Sequence, residues 1–317
     1  MNHLESSFTG KNSLWRYIAM LALVLLASNI IGALPLLIAS SIKSFSDPQI
    51  MSQFSANPND FSVLGINDNL LLVLMLFPFI AGLVAFALLL KPLHSRSFLA
   101  TINGTGKIRW KRFLIGASVW MVFMLLYLVI YKQFDPENFT INNKTASLII
   151  LALISFLFIP FQATFEEVIF RGYLMQGFSV IIRNRLFPLA MTSVLFALMH
   201  SLNPEVKDYG FLTMMPQYLV FGLIFGLVTI LDDGIEAALG AHAANNIFLC
   251  IMVTHRSSAL QTQALFEQHN IYPWTELAGL IVTGILFILI LRKIFKWNDF
   301  SIIFRRVEKK EMPAQIP

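Results

Sequence analysis

Runs of about 20 apolar residues, separated by shorter polar stretches, recur along almost the whole chain, and each is long enough to cross a hydrocarbon core about 30 Å thick as a helix. Eight such stretches are predicted as membrane helices: 16–42, 69–91, 110–131, 147–180, 186–202, 214–231, 235–254 and 274–296. The fourth is too long for one simple crossing. Pro160 removes a backbone donor inside it, so a kink or break is expected there. Asn29, Gly32 and Pro35 offer a comparable bend in the first. The small-xxx-small spacing of Gly222 and Gly226 predicts close helix packing inside the bundle. No internal repeat or low-complexity tract interrupts the pattern. The expected architecture is all-α: a polytopic transmembrane helix bundle of about eight spans, one integral membrane domain over 1–317, with a polar intramembrane cavity.

Composition strengthens this picture. A length of 317 residues would suit two soluble domains, but 56% hydrophobic and only 13% charged residues point to a polytopic membrane protein. Loop charge then orients it, because Lys and Arg accumulate on the cytoplasmic side. Lys91, Arg96, Lys107, Arg109, Lys111 and Arg112 lie between the second and third spans, whereas the loop from 43 to 68 carries Lys43 beside Asp47, Asp60 and Asp68. Both termini are therefore expected in the cytoplasm, in the manner of a bacterial inner-membrane protein. All but five of the 23 basic residues (Lys43, Lys132, Lys144, Lys207 and Arg256) then fall on the inner side. The net charge of +5 is read as this topology signal, with some attraction to anionic headgroups along the basic tail from Arg292 to Lys310, and not as a nucleic-acid footprint. The first apolar run exceeds a signal-peptide core and is expected to remain as a helix. A lone Cys250 excludes an intrachain disulfide and thiolate-rich metal sites. Asn103, Asn138 and Asn143 begin Asn-x-Thr sequons, a pattern too short to carry weight. Oligomeric state is not legible.

Candidate chemistry comes from polar residues that a bilayer should exclude at roughly 2.5 to 3.5 kcal/mol each. Glu166 and Glu167 are adjacent within an apolar stretch, followed by Arg171. Glu167 and Arg171 are four apart and can pair on one helix face, while Glu166 is rotated by about 100° and left available. Low-dielectric surroundings favour the neutral form of a carboxyl, which helps such a group take a proton from water. The competing interpretation is an ion pair that merely locks helices together. His200, four residues after Phe196, taken alone would be a hydrogen-bonded packing residue. His242 and Asn246 share a face in a segment of small residues, Gly240 to Ala244, that permits close approach. An imidazole and a carboxamide can donate to a developing oxyanion; they can equally make interhelical hydrogen bonds, a role suited to Asn245. Helical rise places the acids roughly 20 to 25 Å, His200 roughly 22 Å and His242 roughly 12 Å above the inner side, so convergence is geometrically open.

The order Glu-Glu-x-x-x-Arg, Phe-x-x-x-His, His-x-x-x-Asn resembles the CPBP family of intramembrane proteases, which includes type II CAAX prenyl endopeptidases and bacteriocin-processing and self-immunity proteins. Glu166, Glu167, Arg171, Phe196, His200, His242 and Asn246 occupy all seven motif positions, and the resemblance covers about residues 150–250 as a catalytic core. It implies endoproteolysis of a membrane-associated or prenylated peptide or protein: Glu166 assisted by His200 activates water, His242 and Asn246 hold the oxyanion, and Arg171 organises the acids. The family has also been described as metal-dependent. Glu166, Glu167, His200 and His242 include donor types that zinc takes, although no His-Glu-x-x-His helix is present, and a cofactor-free glutamate mechanism is favoured. The reading from a different class is a non-enzymatic immunity factor, transporter or scaffold that uses the cluster for binding or proton movement.

Overall fold

The computed structural model describes residues 2–47, 49–56, 61–142 and 145–308. All eight predicted segments are helical: α1 (Leu14–Ser46), α2 (Asp68–His94), α3 (Trp110–Phe134), α4 (Ala146–Ile181), α5 (Leu186–Met199), α6 (Phe211–Asp232), α7 (Glu236–Met252) and α8 (Pro273–Phe295). Six of them are long and apolar enough to cross a membrane. Of the two that fall short, α7 carries His242 and α5 is capped by His200. Thirteen of the 17 residues of α7 are buried, against α3, α4 and α6. A helix enclosed by protein does not have to match the bilayer in length or surface.

The long fourth helix corrects one expectation. Helical structure runs unbroken through Pro160, and the irregularity comes later, as a π-helical turn over Val168–Leu174 between α-helical flanks. The Thr164 hydroxyl donates to the Pro160 carbonyl at 2.6 Å. The wider turn instead coincides with Arg171 and directly follows the two acids, in keeping with the association of π-bulges with functional segments. In α1 the bend falls where expected, as a π-turn over Ala27–Gly32. It is moulded to α2: Gly32 lies against the Pro78 backbone, and the Ser28 hydroxyl donates to the Pro78 carbonyl at 2.9 Å.

Glycines set the interhelical distances. A Cβ on Gly222 would stand 2.8 Å from Cα of Ser193, and one on Gly226 would stand 2.6 Å from Cδ1 of Leu189, so the predicted spacing packs α6 onto α5. Gly240 abuts the Phe113 carbonyl and Gly116 abuts the Ala237 carbonyl, which brings the α3 and α7 backbones together. What approaches the small residues around His242 is thus a neighbouring helix. Trp120 packs edge-on against Phe225 and Phe287 beside them.

Basic and acidic groups interlock at one end of the bundle. Arg109 and Arg112 pair with Asp232, Arg109 also pairs with Glu236, and Trp297 Nε1 donates to Asp232 at 3.1 Å. Glu5 pairs with Arg185, whose guanidinium also donates to the Arg305 and Arg306 carbonyls. Both ends of the chain, as far as described, therefore meet at this end, as an even number of crossings requires. The opposite end carries a small sheet in the order β1 (Phe139–Ile141), β3 (Phe266–Gln268), β2 (Val253–Thr254), with β1 antiparallel and β2 parallel to β3. Two sequon asparagines are structural: Asn103 is buried and bonded to the Lys107 carbonyl and Glu236, and Asn138 is buried and donates to the Asn270 carbonyl. Asn143, Lys144 and the tail beyond Glu308 lie outside the described residues.

Candidate active site

Glu166 and Glu167 leave α4 in different directions, as the 100° step of a helix requires. Glu167 is fully buried and its Oε1 accepts from Arg171 Nη1 at 2.8 Å, also fully buried. The same oxygen receives His242 Nδ1 at 2.8 Å. A carboxylate only accepts, so Nδ1 carries the hydrogen and His242 Nε2 faces away from Glu167. That nitrogen lies 3.7 Å from Glu166 Oε2.

His200 repeats the arrangement from the other side. It caps the end of α5, where its Nδ1 donates to the Phe196 carbonyl at 2.7 Å and its Nε2 lies 4.0 Å from the same Glu166 Oε2. Glu166 Oε1 accepts from Gln162 Nε2 at 3.3 Å, whereas Oε2 is buried with no hydrogen-bond partner among the described residues. Two imidazole nitrogens thus converge on one carboxylate oxygen, none of the three with a hydrogen-bond partner among the described residues.

Aromatic faces hold both rings. Tyr218 stacks on His200 with ring centres 4.4 Å apart, and Phe225, seven residues along the same face of α6, stacks on His242 at 5.4 Å. The Tyr218 hydroxyl is anchored by Glu205 and Asn203. Phe196 lies under the Arg171 guanidinium, whose carbon is 4.3 Å from the ring centre, a cation–π contact in dry surroundings. From the basic end, His3 Nε2 donates to the Arg171 carbonyl at 2.9 Å, while Gln176 Nε2 approaches Nδ1 at 3.3 Å. Burial pushes the His3 imidazole below its ordinary pKa, opposed by that carbonyl bond, so the neutral ring is the form the site accepts.

Glu166, Glu167, Arg171, Phe196, His200 and His242 are thereby brought into one cluster. Asn246 joins only through helix register, one turn beyond His242. Its Oδ1 accepts from Asn245 Nδ2 at 3.0 Å, and Asn245 Oδ1 in turn accepts from Trp120 Nε1 at 3.2 Å. This chain fixes the Asn246 amide with its NH2 as the available end. Four contributors escaped the sequence pattern: Gln162, Tyr218, Phe225 and His3. Gln162 could have been found as a polar residue four before Glu166 in an apolar helix. An aromatic residue in a chain with 29 Phe carries no such signal, and His3 precedes every span.

The donors that the sequence offers to zinc are Glu166, Glu167, His200 and His242. Donors bound at about 2.0–2.2 Å in a tetrahedron stand roughly 3.3–3.6 Å apart. Glu166 Oε2 stands 3.7 and 4.0 Å from the two histidine nitrogens, and Glu167 Oε1 is already committed to Arg171 and His242. No group of three or more His, Cys, Asp or Glu among the described residues is arranged to hold a metal ion.

Comparison with known proteins bears on this geometry. A family model described as type II CAAX prenyl endopeptidase Rce1-like matches residues 145–248, the stretch that contains α4 through most of α7 and all three motifs. The protein named "Uncharacterized protein YyaK" of Bacillus subtilis is 30% identical over 259 residues, covering 81% of this chain and 84% of that one. No solved structure matches. With the similarity extending well beyond the motif region into the flanking helices, this multi-pass membrane protein belongs to the Rce1-like family of type II CAAX prenyl endopeptidases.

Proposed function

We propose that the chain is an intramembrane endopeptidase that hydrolyses a peptide bond of a membrane-associated or lipidated substrate, using water activated by Glu166 and no metal. The observation that carries this reading is the convergence of His200 Nε2 and His242 Nε2 on the unpartnered Glu166 Oε2. In this reading a water between them donates to Glu166 Oε2 and to the His200 nitrogen. Glu166 takes a proton as the water oxygen bonds to the scissile carbonyl carbon, and the carbonyl electron pair moves onto its oxygen. His242, when Nε2 carries a proton, and the Asn246 NH2 donate to that oxyanion; one such donor commonly contributes about 3 to 4 kcal/mol. The proton on Glu166 then passes to the amide nitrogen as the C–N bond breaks, leaving a carboxylic acid and an amine. Arg171 and Glu167 hold the His242 ring in place by its Nδ1–H and touch no reacting atom.

The His200 side of the site is the open side: its side chain is 21% exposed, and Met199 and Leu202 beside it are exposed and apolar. A substrate segment held in the bilayer can enter there laterally. The basic end of the bundle, with both chain ends, is read as the cytoplasmic side by the distribution of Lys and Arg.

Glu166→Gln is the direct test. It keeps the shape and the Gln162 contact but removes the base, so peptide profiles of membranes from cells carrying the variant should accumulate an uncleaved species that wild type removes. Identical profiles would sink the assignment. For the cleaved peptide so identified, turnover should persist in zinc-stripped enzyme, and recovery only on adding zinc back would overturn the metal-free mechanism.

A further inference from the structure

At its basic end, α8 presents a stripe that the proteolytic reading leaves unused. Leu289, Arg292 and Lys293 fall at positions i, i+3 and i+4 and so share one face, and with Lys296, which caps the helix end, Trp297 and Asn298 they line an open cavity of about 380 Å³. None of the three cations has a carboxylate within ion-pair distance among the described residues. The nearest acid in sequence, Asp299, is itself paired with Arg305 at 2.5 Å. One wall is rigid: Trp297 is buried and its Nε1 is tied to Asp232, and the Arg292 guanidinium rests 4.9 Å from the Phe300 ring centre.

Elsewhere at this end of the bundle the acids are consumed by arginines. Asp232 and Glu236 take Arg109 and Arg112, and Glu5 takes Arg185. The cavity on α8 is one place where positive charge is left over, with three cations on one patch. It also sits at the point where a membrane-spanning helix ends, which is headgroup level, and Leu289 extends its lining about two turns into the hydrocarbon. A free anion needs only the cations; a ligand that also covers Leu289 must be amphipathic.

We infer that this cavity is a binding site for an anionic phospholipid, its phosphate held by Arg292, Lys293 and Lys296 and its first acyl carbons laid along Leu289. Each Lys near such a surface contributes about fivefold in affinity, so Lys293→Gln with Lys296→Gln should weaken binding roughly 25-fold together. Arg292 is left in place because it packs on Phe300.

The test is native mass spectrometry and thermal unfolding of the full chain in detergent, titrated separately with phosphatidylglycerol, phosphatidylcholine and inorganic phosphate. Expected are retained phosphatidylglycerol adducts on wild type in clear excess over phosphatidylcholine, a melting temperature raised by the anionic lipid alone, and loss of both in the double variant. Equal retention of the two lipids by wild type, or an unchanged phosphatidylglycerol preference in a double variant that melts normally without lipid, would overturn the site. Stabilisation by inorganic phosphate equal to that by phosphatidylglycerol would also overturn it, in favour of a free-anion site.

Discussion

Arg171 is the residue on which the candidate site turns. Its guanidinium pairs with Glu167, lies on Phe196 and approaches the Gly222 carbonyl, and its own carbonyl is held by His3. Both members of the ion pair are fully buried, so removing one leaves an uncompensated charge, which typically costs about 3–5 kcal/mol, whereas replacing both together costs far less. Arg171→Met should therefore lower stability by about that amount in denaturant unfolding, and adding Glu167→Gln should recover much of it. Cleavage should stay lost in the double variant, because His242 then lacks the carboxylate that holds its Nδ1–H. Full activity in the double variant would show that Glu167 has no part in positioning His242. The division between the two acids was legible in the spacing, since residues four apart share a helix face and adjacent ones do not. That both imidazoles point the same nitrogen at Glu166 was not legible, because it depends on which acceptor each Nδ1 meets: the Phe196 carbonyl of its own helix for His200, and Glu167 of a neighbouring helix for His242.

At the scale of elements, the site depends on how closely helices approach. Gly240 faces the Phe113 carbonyl and the Ala117 nitrogen, backbone atoms that cannot move aside. Gly240→Val should part α7 from α3 and shift His242, lowering the unfolding temperature and abolishing cleavage, with overpacking of this kind costing about 1–3 kcal/mol or more. Leu249→Val, on the exposed face of α7, should leave both readings near wild type. Hydropathy located all eight helices to within a few residues. It could not tell that α5 and α7 are too short to span, or that α7 is sheltered, because an apolar surface reads alike whether lipid or another helix covers it. It likewise put the irregularity of α4 at Pro160, whereas the chain accommodates the proline and widens its turn at Val168–Leu174, where His3, Phe196 and Gly222 bear on Arg171.

Across the whole molecule the two ends of the bundle differ in what holds them. The basic end is locked by arginine–carboxylate pairs. The sheet end relies on neutral contacts, among them His255, whose Nδ1 accepts from the Ser257 N–H at 3.2 Å. Burial pushes the His255 imidazole down from 6.5 to about 4, with Asp208 opposing. A histidine depressed in the folded state binds its proton more readily when unfolded, so its contribution is present above pH 6.5 and is lost as pH falls toward 4. The shift corresponds to at most about 3 kcal/mol. The melting temperature should fall over that window, and His255→Asn should flatten the fall. An unchanged pH profile in the variant would assign the acid sensitivity elsewhere.

The sequence by itself determined the membrane-spanning helical class and the identity of the polar residues, because hydrophobic length and the cost of burying charge act locally along the chain. It also carried the order of motifs from which the family is recognised. Only the tertiary structure decided that His200 and His242 meet at one oxygen of Glu166, that Asn246 is oriented through Asn245 and Trp120, and that the N-terminal residues reach the π-turn. Those relations join residues up to 168 positions apart on helices whose approach is set by glycine contacts and stacked rings, and spacing along one helix does not encode them.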